Sequence, residues 1–298
     1  MLSILIPTKD YNCRVLVEEL SRQCVGLGVP CEILIGEDGS TDEGIEQNRS
    51  IAQLPCCRII EYKVNLGRAR VRNRLAEEAQ YDNLIFIDSD AIVEKRNFLS
   101  TYLEVLQSND IVCGGLYHPV FIPSPDCTLR YKYEKNADSK RPASVRRKHP
   151  YNDFSTFNFA IKRSTFLSIR FDESIKEYGY EDTLFGHKIK ENGLTITHID
   201  NPLLHVGLES NKHYLSKVEQ SLKTLYNLRE DINTTPLLEA YRRVRSVGMI
   251  PFAAWLWRKS QSVLRSNLMG ENPSLLLFKL YKLGYYCNYV VTDRLKNP

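Results

Sequence analysis

Four short runs of apolar, β-branched residues stand in the first third of the chain: SILIPT at 3–8, EILIGED at 32–38, RIIEYK at 58–63 and LIFIDSD at 84–90. Each run is continuous rather than alternating, the pattern of a strand covered on both faces. Between the runs the period changes. After Asn12, read as an N-cap, CRVLVEELSRQCVGLG places Val15, Leu16, Glu19, Leu20 and Cys24 at helical spacing and closes on Gly26 and Gly28. GRARVRNRLAEEAQ (67–80) and KRNFLSTYLEVLQSND (95–110) are two further helices. Strands separated by helices predict an α/β, Rossmann-like, mostly parallel sheet with right-handed crossovers and helices on both faces.

Polar residues gather at one place in this pattern, the carboxyl ends of the strands. Thr8, Lys9 and Asp10 end the first; Glu37 and Asp38 the second; Lys63 and Asn65 the third; Asp88 and Asp90 the fourth. Ligands of open parallel sheets lie beyond these ends, so a site is expected there.

Asp88 and Asp90 pose the sharpest question, because two close carboxylates are costly without a partner. On a strand, positions i and i+2 face the same side, so both can face one bound object. A hard divalent cation prefers oxygen ligands and removes their repulsion. Two chemistries fit. In glycosyl transfer, a metal holds the diphosphate of a nucleotide-sugar as it leaves. In aspartate phosphatases the first Asp is a nucleophile and the second an acid.

The surrounding motifs favour the first. GEDGSTD (36–42) turns out of the second strand, and NLGRARVRN (65–73) opens a helix with a glycine and three arginines. Downstream, NFAIKRSTF (158–166) and GYEDTLFGHKIKENG (179–193) follow in order. With SILIPT, EILIGEDGSTD and IDSD, this series resembles family 2 glycosyltransferases of the A-type nucleotide-diphospho-sugar fold over residues 2–210. A phosphatase of the competing type carries its aspartates on the first strand. A non-catalytic sugar- or membrane-binding relative is the alternative from another class.

The resemblance implies roles residue by residue. Thr8, Asp38 and Arg72 would line the nucleotide, with Asp38 accepting from a pyrimidine N–H such as that of uracil. Arg68, Arg70 and Arg74 compete with Arg72 for its role. Asp90 would bind the metal, Mn²⁺ or Mg²⁺, directly. Asp88 would lie nearer the donor sugar and ribose, and His205 would supply a third metal ligand. Asp182 would be the general base, Glu181 would orient the acceptor or sugar, and Asn158 would hydrogen-bond the donor sugar. The chain departs from the family pattern at Glu37, where an aspartate is usual, at the inserted Lys9 and Asp10, and at Ala91.

The rest of the sequence fills in the surroundings. With 298 residues, 43% hydrophobic and 26% charged, the chain suits one large catalytic domain (1–212) followed by a helical, basic region (213–298). The segment 236–298 holds ten Lys/Arg and three Asp/Glu, net +7, against net −3 for the other 235 residues. It also carries Trp255 and Trp257 among leucines and tyrosines, as suits an anionic membrane surface. A packed helical subdomain and a homodimer interface are its other readings. KRPASVRRKH (140–149) reads as a mobile loop able to close over diphosphate. The apolar stretch VGMIPFAAWLW is 11 residues long and contains a proline, whereas a membrane span needs about 20. MLSILIPTKD lacks a basic n-region, so no signal peptide is expected. The eight cysteines lack metal-type spacing and read as reduced thiols. A cytoplasmic enzyme, peripheral on the inner face of the membrane, is expected. Its partners would be a nucleotide-sugar, in particular a UDP-sugar, and a glycan or lipid-linked acceptor of surface polysaccharide synthesis. No nucleic-acid-binding motif accompanies the charge.

Overall fold

The computed structural model describes residues 1–122, 124–175, 177–232 and 235–296. They form two compact units, neither of them continuous in sequence. The first comprises Met1–Pro119, Asp138–Lys176 and Glu181–Gly207; the second comprises Val120–Ala137, Glu177–Tyr180 and Leu208–Pro298. The division expected near residue 212 therefore misses two upstream segments that pack with the C-terminal helices.

The first unit is built on β1 (Leu2–Thr8), β2 (Cys31–Asp38), β3 (Cys57–Tyr62) and β4 (Asn83–Ile87), the four apolar runs. Between them lie α1 (Arg14–Gly26), α2 (Asp42–Arg49) and α3 (Arg68–Glu78). β3, β2, β1 and β4 are parallel neighbours in that order. β8 (Asn158–Lys162) adds antiparallel to β4, and β6 (Ile111–Cys113) and β9 (Thr197–His198) complete a seven-stranded sheet. β8 alone runs against the others, so the sheet is mostly parallel, as expected. Helices including α1 and α4 (Phe98–Val105) share one core cluster with Ile4, Ile33 and Ile85. α3, α7 (Arg163–Ile169) and α8 (Glu181–Glu191) share the other with Leu5, Leu34 and Phe86. The runs of β1, β2 and β4 thus do bury both faces, while β3, at the sheet edge, is only half-buried.

A second, three-stranded sheet had no sequence signal. β5 (Ala91–Ile92), β7 (Leu116–Tyr117) and β10 (Leu203–His205) are two or three residues each, with β10 central. His205 pairs with Ala91 and Leu204 with Tyr117.

The segment 140–149 is not the mobile loop expected. Ala143–Arg146 forms a short helix, α6, with Ala143 and Arg146 buried. The Arg146 guanidinium donates to the carbonyls of Cys113, Gly114, Arg141 and Ile199 and to His198 Nδ1. Burial pushes the His198 imidazole down to about 4, so the neutral ring accepts from Arg146 and its Nε2 donates to Pro150. The cation there serves the fold, not a diphosphate.

The second unit is helical: α5 (Thr128–Lys135), α9 (Asn211–Asn227), α10 (Pro236–Ser246), α11 (Ile250–Met269) and α12 (Leu275–Lys296). Trp257 packs inside it against Tyr281 and Tyr285, over Gly284, where an added Cβ would lie 2.7 Å from the indole. No described helix is long and apolar enough to cross a membrane.

Candidate active site

The turn after β2 is the first piece of the site. Gly39 has φ +65°, and a Cβ there would lie 2.3 Å from the amide nitrogen of Asn65. This close approach lets Asp38 reach the entrance of α3, where its two oxygens accept from Leu66 N at 2.5 Å and Gly67 N at 3.1 Å. Asp38 thus pins GEDGSTD to NLGRARVRN. Beside it Glu37 is buried and accepts from Ser40 and Asn48; burial pushes its carboxyl above the ordinary range. The inserted Asp10 accepts from the backbone and hydroxyl of Thr41, which ties the ends of β1 and β2 together. Thr8 is buried, donating to Tyr11 O at 3.2 Å.

The four arginines of α3 differ in burial. Arg68, Arg70 and Arg74 are exposed, whereas Arg72 is 1% exposed. Its Nη2 donates to Asp88 Oδ1 at 2.5 Å, its Nη1 donates to Arg68 O at 3.2 Å, and the guanidinium lies 5.8 Å from the Phe171 ring centroid. A buried guanidinium requires such an anion, and Asp88 provides it.

The expectation that Asp88 and Asp90 face one object from a strand is corrected here. β4 ends at Ile87, and residues 88–90 form a turn closed by Ala91 N donating to Asp88 O. Two-residue alternation does not apply in a turn, and each carboxylate has its own partner. Asp88 takes Arg72. Asp90 takes His205, whose Nε2 lies 3.1 Å from Asp90 Oδ2. The small sheet explains the second pairing: β5 follows Asp90 directly, and His205 is opposite Ala91 across the ladder. Gly207 completes it, because a Cβ there would fall 2.0 Å from Asp90 Oδ2.

β7 brings in a residue that sequence reasoning missed. His118 follows the strand that pairs with β10; its Nε2 is 3.3 Å from His205 Nδ1 and its Nδ1 is 3.2 Å from Asp138 Oδ1. GGLYHP offered only a histidine after a short apolar run, and the pairing of β7 with β10 spans almost ninety residues.

The acidic pair opens α8. Gly179 and Tyr180, with φ of 106° and 67°, turn the chain into the helix. Glu181 is buried, with Oε1 3.6 Å from Arg68 Nη1. Asp182 accepts from Thr183 N at 2.7 Å. Burial, and then the charge of Glu181, push the Asp182 carboxyl up to about 6, with Arg72 pulling the other way. An acid in this position is a proton acceptor at neutral pH with an unusually high affinity for the proton.

Asn158 is corrected as a sugar ligand. It is 1% exposed, its Oδ1 accepts from Tyr102 OH at 2.7 Å, and its Nδ2 donates to Gly115 O and Asn201 O at 2.9 Å. Its hydrogen bonds are committed inside the fold, where it fixes the exits of β6 and β9.

Asp90 and His205 suit a divalent cation. Two neighbouring ligands about 2.1 Å from an octahedral metal are about 3 Å apart, and Oδ2 and Nε2 are 3.1 Å apart. A carboxylate and an imidazole are both acceptable to Mn²⁺.

Comparison with known proteins identifies the family and the fold. The profile of Glycosyl transferase family 2 matches residues 3–170. The uncharacterized glycosyltransferase YfnE of Bacillus subtilis is 22% identical over 244 residues, which cover 65% of this chain and 61% of that protein. The chain thus spans about six tenths of that relative's length. An uncharacterized glycosyltransferase of Haemophilus influenzae is 24% identical over 217 residues, covering 71% of this chain and 83% of that one. Among solved structures, the mannosyltransferase PcManGT from Pyrobaculum calidifontis, in complex with GDP-Man and Mn²⁺, superposes with a TM-score of 0.57 at 15% identity. That match covers 99% of this chain and 86% of the other. Residues 1–349 of TarS from S. aureus superpose with a TM-score of 0.51 at 14% identity, over 98% and 91% of the two chains. At these identities the superpositions establish a common A-type fold.

Proposed function

Because the chain belongs to glycosyl transferase family 2, we propose that it is a metal-dependent, inverting glycosyltransferase. Its donor is a nucleotide-sugar, in particular a UDP-sugar, and its acceptor a glycan or lipid-linked sugar of surface polysaccharide synthesis. The observation that carries the reading is the Asp90–His205 pair, 3.1 Å apart beneath the side-chain-free Gly207. The mannosyltransferase of similar fold holds GDP-Man and Mn²⁺. When bound, the metal, Mn²⁺ or Mg²⁺, supplies positive charge that stabilises the departing diphosphate.

The chain's own residues do the rest. Asp90 and His205 would hold the metal, and Asp88 anchors Arg72. Thr8 and Asp38 lie at strand ends suited to the nucleoside. Asp182 takes the proton of the acceptor hydroxyl. That oxygen forms a bond to the anomeric carbon as the bond from carbon to diphosphate oxygen breaks, and its electron pair leaves with the nucleotide. One displacement inverts the anomeric centre. Glu181, held by Arg68, orients the acceptor or sugar.

A panel of UDP- and GDP-sugars, assayed for nucleotide release with Mn²⁺ and with chelator, tests the proposal. UDP release that chelator abolishes is the expected result. GDP release would overturn the donor, equal rates in chelator the metal, and phosphate release from simple monoesters the transferase itself. We also place the enzyme at the inner face of a membrane, where a lipid-linked acceptor resides.

A further inference from the structure

Residues 240–270 contain six Arg/Lys and no Asp or Glu. The structure sorts this stretch into two faces. On α11, Ile250, Ala254, Trp257 and Leu268 turn inward or against α12. On the opposite side, Phe252, Trp255, Leu256, Lys259 and Val263 recur at helical spacing. Phe252, Trp255 and Leu256 are each about half exposed and Val263 is 71% exposed. Phe252 and Trp255 stack, with ring centroids 5.7 Å apart. The turn before the helix adds exposed Val247 and Met249, preceded by exposed Arg242, Arg243 and Arg245. Arg258 and Lys259 are exposed at mid-helix.

The two tryptophans therefore do different work, although only Leu256 separates them. Trp257 belongs to the packing of the helical unit. Trp255 belongs to its surface. Isolated apolar residues on a surface need no explanation, but a contiguous aromatic and aliphatic face within a purely basic segment does. Such a face is matched by a surface that is apolar a few ångströms down and negative on top. An aromatic ring suits the headgroup boundary, and arginine and lysine stems reach from it to phosphate. A neutral protein partner would match the apolar residues but not the exposed positive charge that surrounds them.

We propose that the outer face of α11, with the turn at 247–249, is the element that seats this protein on an anionic phospholipid surface, with Phe252, Trp255 and Leu256 entering the headgroup layer. Arg242, Arg243, Arg245, Arg258 and Lys259 engage lipid phosphates around them. The inference rests on the membrane placement given above and names the surface responsible. It is independent of the transfer chemistry.

Vesicles of phosphatidylglycerol and phosphatidylcholine, mixed with the full chain and no sugar donor, provide the test. Wild type is expected to co-sediment, with a blue shift of tryptophan emission and quenching by brominated lipid. Trp255→Phe should retain its far-UV spectrum and most of its sedimentation but lose the shift, because Trp257 is already packed. Replacing Arg242, Arg243 and Arg245 by Glu should lower partitioning at least about tenfold, and raising salt should lower it as well. Absence of sedimentation at low salt overturns the proposal. So does a blue shift that survives in Trp255→Phe, or a dimer in sedimentation velocity that Trp255→Glu converts to monomer, which would make a second copy the occupant. Donor hydrolysis measured on the same preparation separates this failure from failure of the transferase reading: vesicle binding without nucleotide release leaves the surface standing, and the converse leaves the enzyme standing.

Discussion

Asp182 shows how one residue's surroundings make a testable prediction. Its carboxyl is raised to about 6 by burial and Glu181. If it is the base, kcat should fall about tenfold per pH unit below about 6 and level off above it. Asp182→Asn should fold, bind donor nearly as well as the parent and transfer about 10²–10⁴-fold more slowly. The same shift has a stability consequence of opposite sense. A carboxyl raised on folding favours the native state below its unfolded value near 4 and withdraws that support as pH climbs to 6. The Asn variant should therefore melt higher than the parent at pH 7, by about 1–2 kcal/mol of unfolding free energy, and lose the advantage below pH 4. A parent-like transfer rate in Asp182→Asn would assign the acid to the helix end alone. Gly207 offers a second residue-scale test. A Cβ there would sit 2.6 Å from Asp90 Cβ, so Gly207→Ala must displace the carboxylate as a whole. Titration calorimetry should show Mn²⁺ affinity reduced about tenfold or more, while the circular dichroism spectrum stays unchanged.

Elements were legible in proportion to how local their causes are. β1, β2 and β4 declared themselves as apolar runs because both their faces are buried, whereas the edge strand β3 is only half-buried. α1 was legible by period, though it starts at Arg14 behind Cys13, with Asn12 accepting from Arg14 N instead of capping the next turn. The two-residue strands β5 and β7 carry no period at all, and only pairing across the chain makes them strands. Their absence from the sequence pattern is why His118 went unseen and why Asp88 and Asp90 were placed together on a strand. The basic segment misled for a related reason. Pro142 does turn the chain, but Arg146 is satisfied by carbonyls at 113, 114 and 199 that no local rule places beside it. Removing it would leave several of these buried acceptors unpaired. Arg146→Ala should thus cost about 3 kcal/mol or more in urea unfolding. Arg146→Lys should not restore it, because one ammonium cannot span the fan of carbonyls a guanidinium reaches.

For the whole molecule, the family and the strand-end location of the site came from motifs in series, none of them decisive singly. The side-chain partnerships came only from the fold: Arg72 with Asp88, His205 with Asp90, Asn158 with Tyr102. The molecule as a whole should report occupancy of the site through its melting. Ligand present at 100 times its Kd adds about 2.7 kcal/mol to unfolding. UDP with Mn²⁺ should accordingly raise the Tm by several degrees. Chelator should remove that rise for the parent, and Asp90→Asn should lack it throughout. A UDP-induced rise indifferent to chelator would remove the metal from the nucleotide site.

The three-stranded sheet also sets a clock. Asp90 precedes its first strand and His205 ends its last, 115 residues later. A ribosome adding roughly 5–20 residues per second needs on the order of ten seconds to cover that interval. The parallel strands β3-β2-β1-β4 can assemble in that time, but the pair that would grip the cation cannot. If the pair holds a cation as proposed, that cation can be loaded only after residue 205 has been synthesised.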